Sequence, residues 1–319
     1  MKRVVLAVCA AVFAAFSGRA DTYTWTGGTG TWDDSAHWLV GGAAATQAPG
    51  EGDTAIIPAP ASGDIVVTAN EPIKVMALSI GAESAEQAGT VKLKIAALGA
   101  TNEIGDTLLV HARGTITGTA NSSATGSTAD SQLYKLVFTV GGNLEVDAGG
   151  EITVKGQGYP EGAGISTKSH GGRAGAGGAC YGSIRRPVTL GGGGTWAKSE
   201  PGFGGGAMRL AVTGSATING TLDADAAYDE YYTGAGGSIW LTAASLTGTG
   251  MIHADGGREY HIGYNSESGG GGGRVAIHLT GAGQDFDGFT GPITAYGGYS
   301  ENLKRRSGNC GTVFKKTGD

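Results

Sequence analysis

One glycine-bracketed phrase occurs three times in this chain: GGGAMRLAVTGSATINGTLDADA from Gly204, GGSIWLTAASLTGTGMIHADGG from Gly236, and GGRVAIHLTGAGQDFDGFTGPITAYGG from Gly272. Each copy reads Gly-Gly, an alternating apolar strand, a turn, then Gly-x-Ile/Leu-x-Ala. Self-similarity of this kind marks a chain stacked from like units.

Aligning the copies puts Met208, Ile239 and Val275 in one column and Leu210, Leu241 and Ile277 in another. The apolar period is two, so these segments are strands rather than helices. In the second strand Leu222, Ile252 and Ile293 stack, with Ala224, Ala254 and Ala295 two residues on, while Asp223, His253 and Thr294 face the opposite, wet side. Leu144 and Val146, then Ile152 and Val154, carry the same alternation, and Thr312-Val313-Phe314 reads as a last partial copy. A unit with one apolar face must lie on its neighbours, which predicts parallel ladders in a β-solenoid. The offsets Met208 to Ile239, Ile239 to Val275 and Val275 to Val313 are 31, 36 and 38 residues. Three strands of ~5 to 6 residues with their turns need only roughly 20 to 25, so each coil is expected to carry one long loop.

Glycine supplies 62 of 319 residues, which unpatterned would read as disorder. Here Ile, Val and Leu recur at fixed offsets between the glycines, which are expected at corners where positive φ is needed. Lys2 and Arg3 precede the apolar run Val4 to Phe16, and Gly18-Arg19-Ala20 offers small residues for cleavage after Ala20, so residues 1–20 read as an export signal. The run is shorter than the ~20 residues that span a bilayer, and nothing later is long or apolar enough to cross one. Removing the signal leaves 19 basic against 28 acidic side chains. A field of that sign does not favour nucleic acid or anionic lipid. Cys9 leaves with the signal; Cys180 and Cys310 either form a disulfide, which an oxidising compartment permits, or stand as two separate thiols in glycine-rich loops.

Residues 21–57 differ in texture, with Trp25, Trp32 and Trp38 close together, then Pro49 and Gly52-Asp53 through Ile56. The open apolar end of a solenoid requires a cover, and three tryptophans can supply it; the competing reading is a carbohydrate site on exposed rings. The pattern Trp25-x-Gly27, Gly30-x-Trp32, Trp38, Pro49 and Gly52-Asp53 resembles the N-terminal cap of autotransporter-like bacterial surface proteins, with His37 where that family usually has Asn. The resemblance implies a passenger-type solenoid, although the chain ends at Asp319 with no room for a translocating β-barrel, and Lys315 and Lys316 suit an end that discourages strand addition.

Between Asp64 and Val140, runs such as DIVVTA, TVKLKIAAL and LYKLVFTV predict irregular early coils, with Thr119 to Asp130 as a loop. Gly156 to Gly206 is the longest irregular insert. Its Ser169-His170-Gly171-Gly172, Tyr181-Gly182-Ser183 and Pro187 phrase resembles glycine-rich solenoid proteins of planctomycete and verrucomicrobial bacteria, a resemblance that speaks for architecture and not for an activity. The glycine runs at Gly191 to Gly194 and Gly269 to Gly273 lack the Gly-Lys-Ser/Thr of a phosphate cradle. Ser169 and His170 are sequence neighbours, which is no sign of a hydrolytic triad; His170 is expected to bond backbone in a packed loop.

The loops after the second strand of each copy hold seven of the eleven tyrosines, with acids among them: Tyr228, Asp229, Glu230, Tyr231 and Tyr232, then Arg258, Glu259, Tyr260, His261 and Tyr264, then Tyr296, Tyr299 and Glu301. Stacked coils place equivalent loops on one side, so Tyr231, Tyr232, Tyr260, His261, Tyr264, Tyr296 and Tyr299 form a candidate surface for an extracellular glycan or surface protein. The alternative is that the tyrosines fill gaps between loops. Lys155, Asp225, Asp255 and Tyr296 are expected in one outer column beside His253 and Asp223. Adjacent coils about 4.8 Å apart could bring two acids within catalytic reach, but a solvated side-chain ladder is the commoner outcome. Asp285-Phe286-Asp287-Gly288 has suitable oxygens for calcium without the tandem Gly-Gly-x-Gly-x-Asp repeat that would support it.

The sequence therefore predicts an all-β chain: a right-handed parallel β-helix with glycine-rich loop insertions and a Trp-rich N-terminal cap. A signal over 1–20, a cap over 21–62 and a solenoid over 63–319 are expected, with cap and solenoid forming one mature domain. The expected role is a secreted or cell-surface structural, adhesin-like protein without metal, cofactor or chemistry of its own. A carbohydrate-active β-helix enzyme, a polysaccharide lyase or glycoside hydrolase, is the alternative.

Overall fold

The computed structural model describes residues 20–120, 135–160, 163–166, 169–175, 177–194, 203–227, 233–258, 269–299 and 307–318. Among them a 3-10 turn at Ser35–His37 is the one helical element, and all other regular structure is strand. No described helix is long and apolar enough to cross a membrane. The export signal predicted over residues 1–20 lies, up to residue 19, outside the described residues.

The strands form three sheets of nine, eight and seven members. From Thr54–Pro58 to Arg274–Leu279 the chain visits the nine-, eight- and seven-stranded sheets in unbroken rotation, so every coil contributes one strand to each. In the next coil the nine-stranded position shrinks to a single parallel bridge, Gly248 to Phe289, before Ile293–Thr294 and Thr312–Lys316 close the other two sheets. Among the described residues every strand pairing is parallel except at the N-terminal end, where Trp38–Val40 runs antiparallel to Thr22–Trp25 and to Ala43–Ala44.

The register is the one the repeats dictate. Met208 pairs with Ile239 and Ile239 with Val275; Leu210 pairs with Leu241 and Leu241 with Ile277; Leu222 pairs with Ile252 and Ile252 with Ile293. Val275 pairs with Val313, so the last partial copy is a true rung. A one-residue slip would turn every buried side chain outward, so the alternation itself enforces this pairing. The inward residues of all three sheets merge into a single core. The coils before Val140 are as regular as the later ones, contrary to expectation: Asp64–Ala69 pairs with Thr90–Ile95 over six residues. Their alternation is equally strict, and only the glycine punctuation that made the later copies conspicuous is missing. The predicted loop at Thr119 to Asp130 lies, from 121 onward, outside the described residues.

Trp25, Trp32 and Trp38 are buried, and Trp38 meets Trp25 and Trp32 edge-on with ring centroids 5.1 and 5.0 Å apart. Trp38 Nε1–H donates to the Trp32 carbonyl at 2.8 Å, so its one polar atom is satisfied inside the core. The rings sit where the nine-stranded sheet begins, covering apolar area that the first coil would otherwise expose.

The bracketing glycines serve a purpose other than the predicted one. Gly206, Gly237, Gly273 and Gly311 lack positive φ. A Cβ on Gly237 would lie 1.9 Å from the Gly206 carbonyl oxygen, one on Gly273 2.2 Å from that of Gly237, and one on Gly311 1.9 Å from that of Gly273. These glycines let successive coils touch backbone to backbone just before the seven-stranded sheet begins.

The insert after Val154 lies over the outer face of that sheet. His170 Nδ1 bonds the Gly236 carbonyl at 2.8 Å and its Nε2 meets Thr189 Oγ1 at 2.7 Å, so His170 is a structural pin, as expected of it. Ser238 Oγ–H donates to the Thr189 carbonyl, Arg274 Nε–H to that of Tyr181, and the His278 ring meets that of Arg185. Ser169 Oγ turns instead to the Gly177 carbonyl. Cys180 and Cys310 are both exposed free thiols.

Candidate functional site

The second strand of each late coil reads Ile-Thr-Val-Lys, Leu-Asp-Ala-Asp, Ile-His-Ala-Asp or Ile-Thr-Ala-Tyr, ending at Lys155, Asp225, Asp255 and Tyr296. Ile152, Leu222, Ile252, Val154, Ala224 and Ala254 are buried, and alternation turns the intervening polar residues outward. Thr153, Asp223, His253 and Thr294 pair in register across the eight-stranded sheet. Two residues on, Lys155, Asp225, Asp255 and Tyr296 line one cleft, as the sequence predicts for that column.

Backbone bonds hold the carboxylates one coil apart. Asp225 N–H donates to Asp223 Oδ1 at 2.7 Å, Asp255 N–H to Asp225 Oδ1 at 2.6 Å, and Tyr296 N–H to Asp255 Oδ1 at 2.6 Å. Each acid thus accepts the N–H that the end of the strand leaves unpaired. Thr294 Oγ1–H donates to the other Asp255 oxygen at 3.0 Å. His253 reaches back across the rung, its Nδ1 lying 2.9 Å from Asp225 Oδ1 and 3.5 Å from Asp223 Oδ1. Lys155 Nζ stands 4.0 Å from Asp223 Oδ2. His253 Nε2 is buried with no hydrogen-bond partner among the described residues.

Asp223 is only 3% exposed, although alternation points it away from the core and the sequence reading places it on the wet face. The side chains of the rungs on either side, Lys155 and His253, close over it. Burial, then the neighbouring Asp225 charge, push its carboxyl up to about 6 against the opposing pull of His253 and Lys155. Burial and the Asp225 charge likewise raise Asp255, partly offset by its Tyr296 and Thr294 hydrogen bonds. Burial acts to lower His253, but its Asp225 hydrogen bond and the surrounding carboxylates raise it on balance.

The cleft has a volume of about 360 Å³, within the range of small-ligand sites. Asp225 and Asp255 stand on it with Lys155 and Arg258 as cations, Tyr296 and Tyr299 as aromatic groups, and Gly256, Gly257 and Gly297 as backbone lining. Tyr296 is 60% and Tyr299 50% exposed, so both rings are free to meet a ligand. Asp223, Asp225 and His253 bring one ligand-type atom each within 4.8 Å of one another. The His253 ring bonds Asp225 and the Lys155 ammonium faces Asp223, so both carboxylates of this cluster already have side-chain partners.

Of the tyrosine surface the sequence predicts, Tyr296 and Tyr299 belong to this cleft, while Tyr231, Tyr232, Tyr260, His261 and Tyr264 lie outside the described residues. Sequence reasoning missed the diagonal bond from His253 to Asp225 and the hydroxyl support of Thr294 for Asp255. Both cross between rungs, and only the register places them together. Asp287 N–H donates to Asp285 Oδ1 at 3.0 Å, a local turn rather than a calcium loop. A larger hollow of about 410 Å³ at Asp21, Tyr23, Gln47 and Asp53 adjoins Ala20, where the described chain begins, and gathers neither cations nor paired aromatics. No protein-family model, curated protein or solved structure matches this chain.

Proposed function

We propose that the protein is an exported, right-handed parallel β-helix of the autotransporter-passenger kind that binds an extracellular saccharide in the cleft between Lys155 and Tyr299. The single observation that carries this reading is the cleft's chemistry: two exposed tyrosine rings, two carboxylates and two cations on one stacked scaffold. A sugar presents an apolar C–H face and a rim of hydroxyls. Tyr296 and Tyr299 suit the first, Asp225 and Asp255 accept from the second, and Lys155 and Arg258 donate to it. The site is preorganised because each carboxylate is held by a backbone N–H of the next coil, which limits the ordering cost on binding. The basic and apolar N-terminal run supports export, and the unbroken rotation through three sheets supports a closed helix. A glycan array on the mature chain tests the reading. At least one saccharide should bind, and Tyr296→Ala should weaken it about 3- to 10-fold, the worth of one ring contact. Absence of any glycan hit, or affinity unchanged in both Tyr296→Ala and Tyr299→Ala, would refute it.

A further inference from the structure

Asp225 and Asp255 occupy equivalent positions on successive coils, and each accepts the N–H of the same position one rung on, a repeat that implies a separation of one strand spacing. Asp225 Oδ1 sits 2.6 Å from the Asp255 N–H, and Asp255 Oδ1 sits 2.6 Å from the Tyr296 N–H, one rung further on. Strands lie about 4.8 Å apart. Carboxyl groups about 5 to 5.5 Å apart are the arrangement that cleaves a glycosidic bond through a covalent intermediate, whereas a wider gap of roughly 6.5 to 9.5 Å admits a water between them.

We infer that the cleft is hydrolytic as well as binding, with Asp225 as nucleophile and Asp255 as general acid and base on a glycoside, an inference that rests on the saccharide-binding reading above. In the first step an Asp225 oxygen bonds to the anomeric carbon while the glycosidic C–O bond breaks, and the Asp255 proton passes to the departing oxygen. In the second, Asp255 takes a proton from water, the water oxygen bonds to the anomeric carbon, and the ester to Asp225 breaks. Both acids return to their starting states, and no further reactant is consumed.

The surroundings divide the two roles. Asp225 meets the His253 ring at 2.9 Å, a contact that orients the carboxylate. Asp255 has no cation within ion-pair distance among the described residues; its side chain meets the Thr294 hydroxyl and the Tyr296 N–H, and burial favours its protonated form. His253 and Asp223 do not line the cleft and act as positioning residues behind Asp225. The backbone bonds that Asp225 and Asp255 accept would equally suit a purely structural ladder, so the test must separate the two roles. An Asn side chain keeps the accepting oxygen and removes the acid.

The experiment incubates the mature chain with every array-positive oligosaccharide and with 4-nitrophenyl glycosides of the common pyranoses in both anomers. The products are followed by reducing-end release and by NMR of the first-formed anomer. Wild type should release product with retained configuration, and the matching 2-deoxy-2-fluoroglycoside should label Asp225. Asp225→Asn should abolish turnover and labelling with its melting curve preserved. Asp255→Ala should lose about 10²- to 10⁴-fold in rate, and azide should restore it by forming the glycosyl azide, which a structural acid would not permit. An oligosaccharide whose binding needs Tyr296 but which wild type leaves intact would overturn the inference while sparing the binding reading. Inverted product would overturn the role of Asp225. Failure of every saccharide to bind would overturn both readings.

Discussion

Replacing Asp223 by Asn should stabilise the protein at neutral pH, an unusual result for removing a charged residue that contacts a histidine and a lysine. Asp223 is almost fully buried, and its carboxyl is pushed up to about 6 against 3.8 for a free aspartate, chiefly by burial and by Asp225. A carboxyl raised on folding contributes stability below its unfolded value and loses that contribution as pH climbs through the folded one. Each unit is worth about 1.4 kcal/mol, so the ionised Asp223 costs about 3 kcal/mol above pH ~6. The amide of the variant stays neutral, and its side-chain oxygen still accepts the Asp225 N–H that Asp223 accepts at 2.7 Å. Thermal melts of wild type and Asp223→Asn between pH 4 and 8 should therefore diverge as pH rises. The variant should melt about 6 °C higher at pH 7.5, at about 2 °C per kcal/mol for a chain of this size. Below pH ~4 the two curves should meet, because both side chains are then neutral. Taking the difference removes contributions shared by both proteins, including that of His170. A variant that is less stable than wild type at pH 7.5, or a difference flat across pH, would show that His253 and Lys155 more than offset the burial of the charge, and the reasoning would fail.

Two other perturbations follow from the same packing. Gly237→Ala places a methyl 1.9 Å from the Gly206 carbonyl oxygen, and because that neighbour is backbone the coils must part; denaturant unfolding should record a loss of more than about 3 kcal/mol, and a loss under about 1 kcal/mol on the same scale would mean that coil contact is not what requires glycine there. His170 is fully buried and its ring is lowered to about 4, first by burial, so its contribution to stability is whole at neutral pH and fades as pH falls from ~6.5 through the folded value. His170→Gln should flatten that acid-side decline by about 3 kcal/mol, and an unchanged slope would place the acid sensitivity elsewhere.

Alternation and repetition in the chain were enough to specify strands, their register and their inward faces. Val275 lies on Ile239 and Val313 on Val275 because any slip would expose the whole ladder. The same register made the outer column of Lys155, Asp225, Asp255 and Tyr296 legible, since equal positions in a repeat become spatial neighbours. The tryptophans at the N-terminal end were legible as cover for the same reason, because an apolar stack must stop somewhere. The purpose of the bracketing glycines was not: composition points to turns, while the contact that forbids a Cβ at Gly237 comes from a different coil, 31 residues away at Gly206. Asp223 teaches the same lesson with opposite consequence. Its place on the outer face is written in the alternation, but its burial depends on how far Lys155 and His253 reach across neighbouring rungs. Short-range periodicity determines which way a side chain points; whether water still reaches it is decided by groups far away in sequence, and only the stacked coils bring those together.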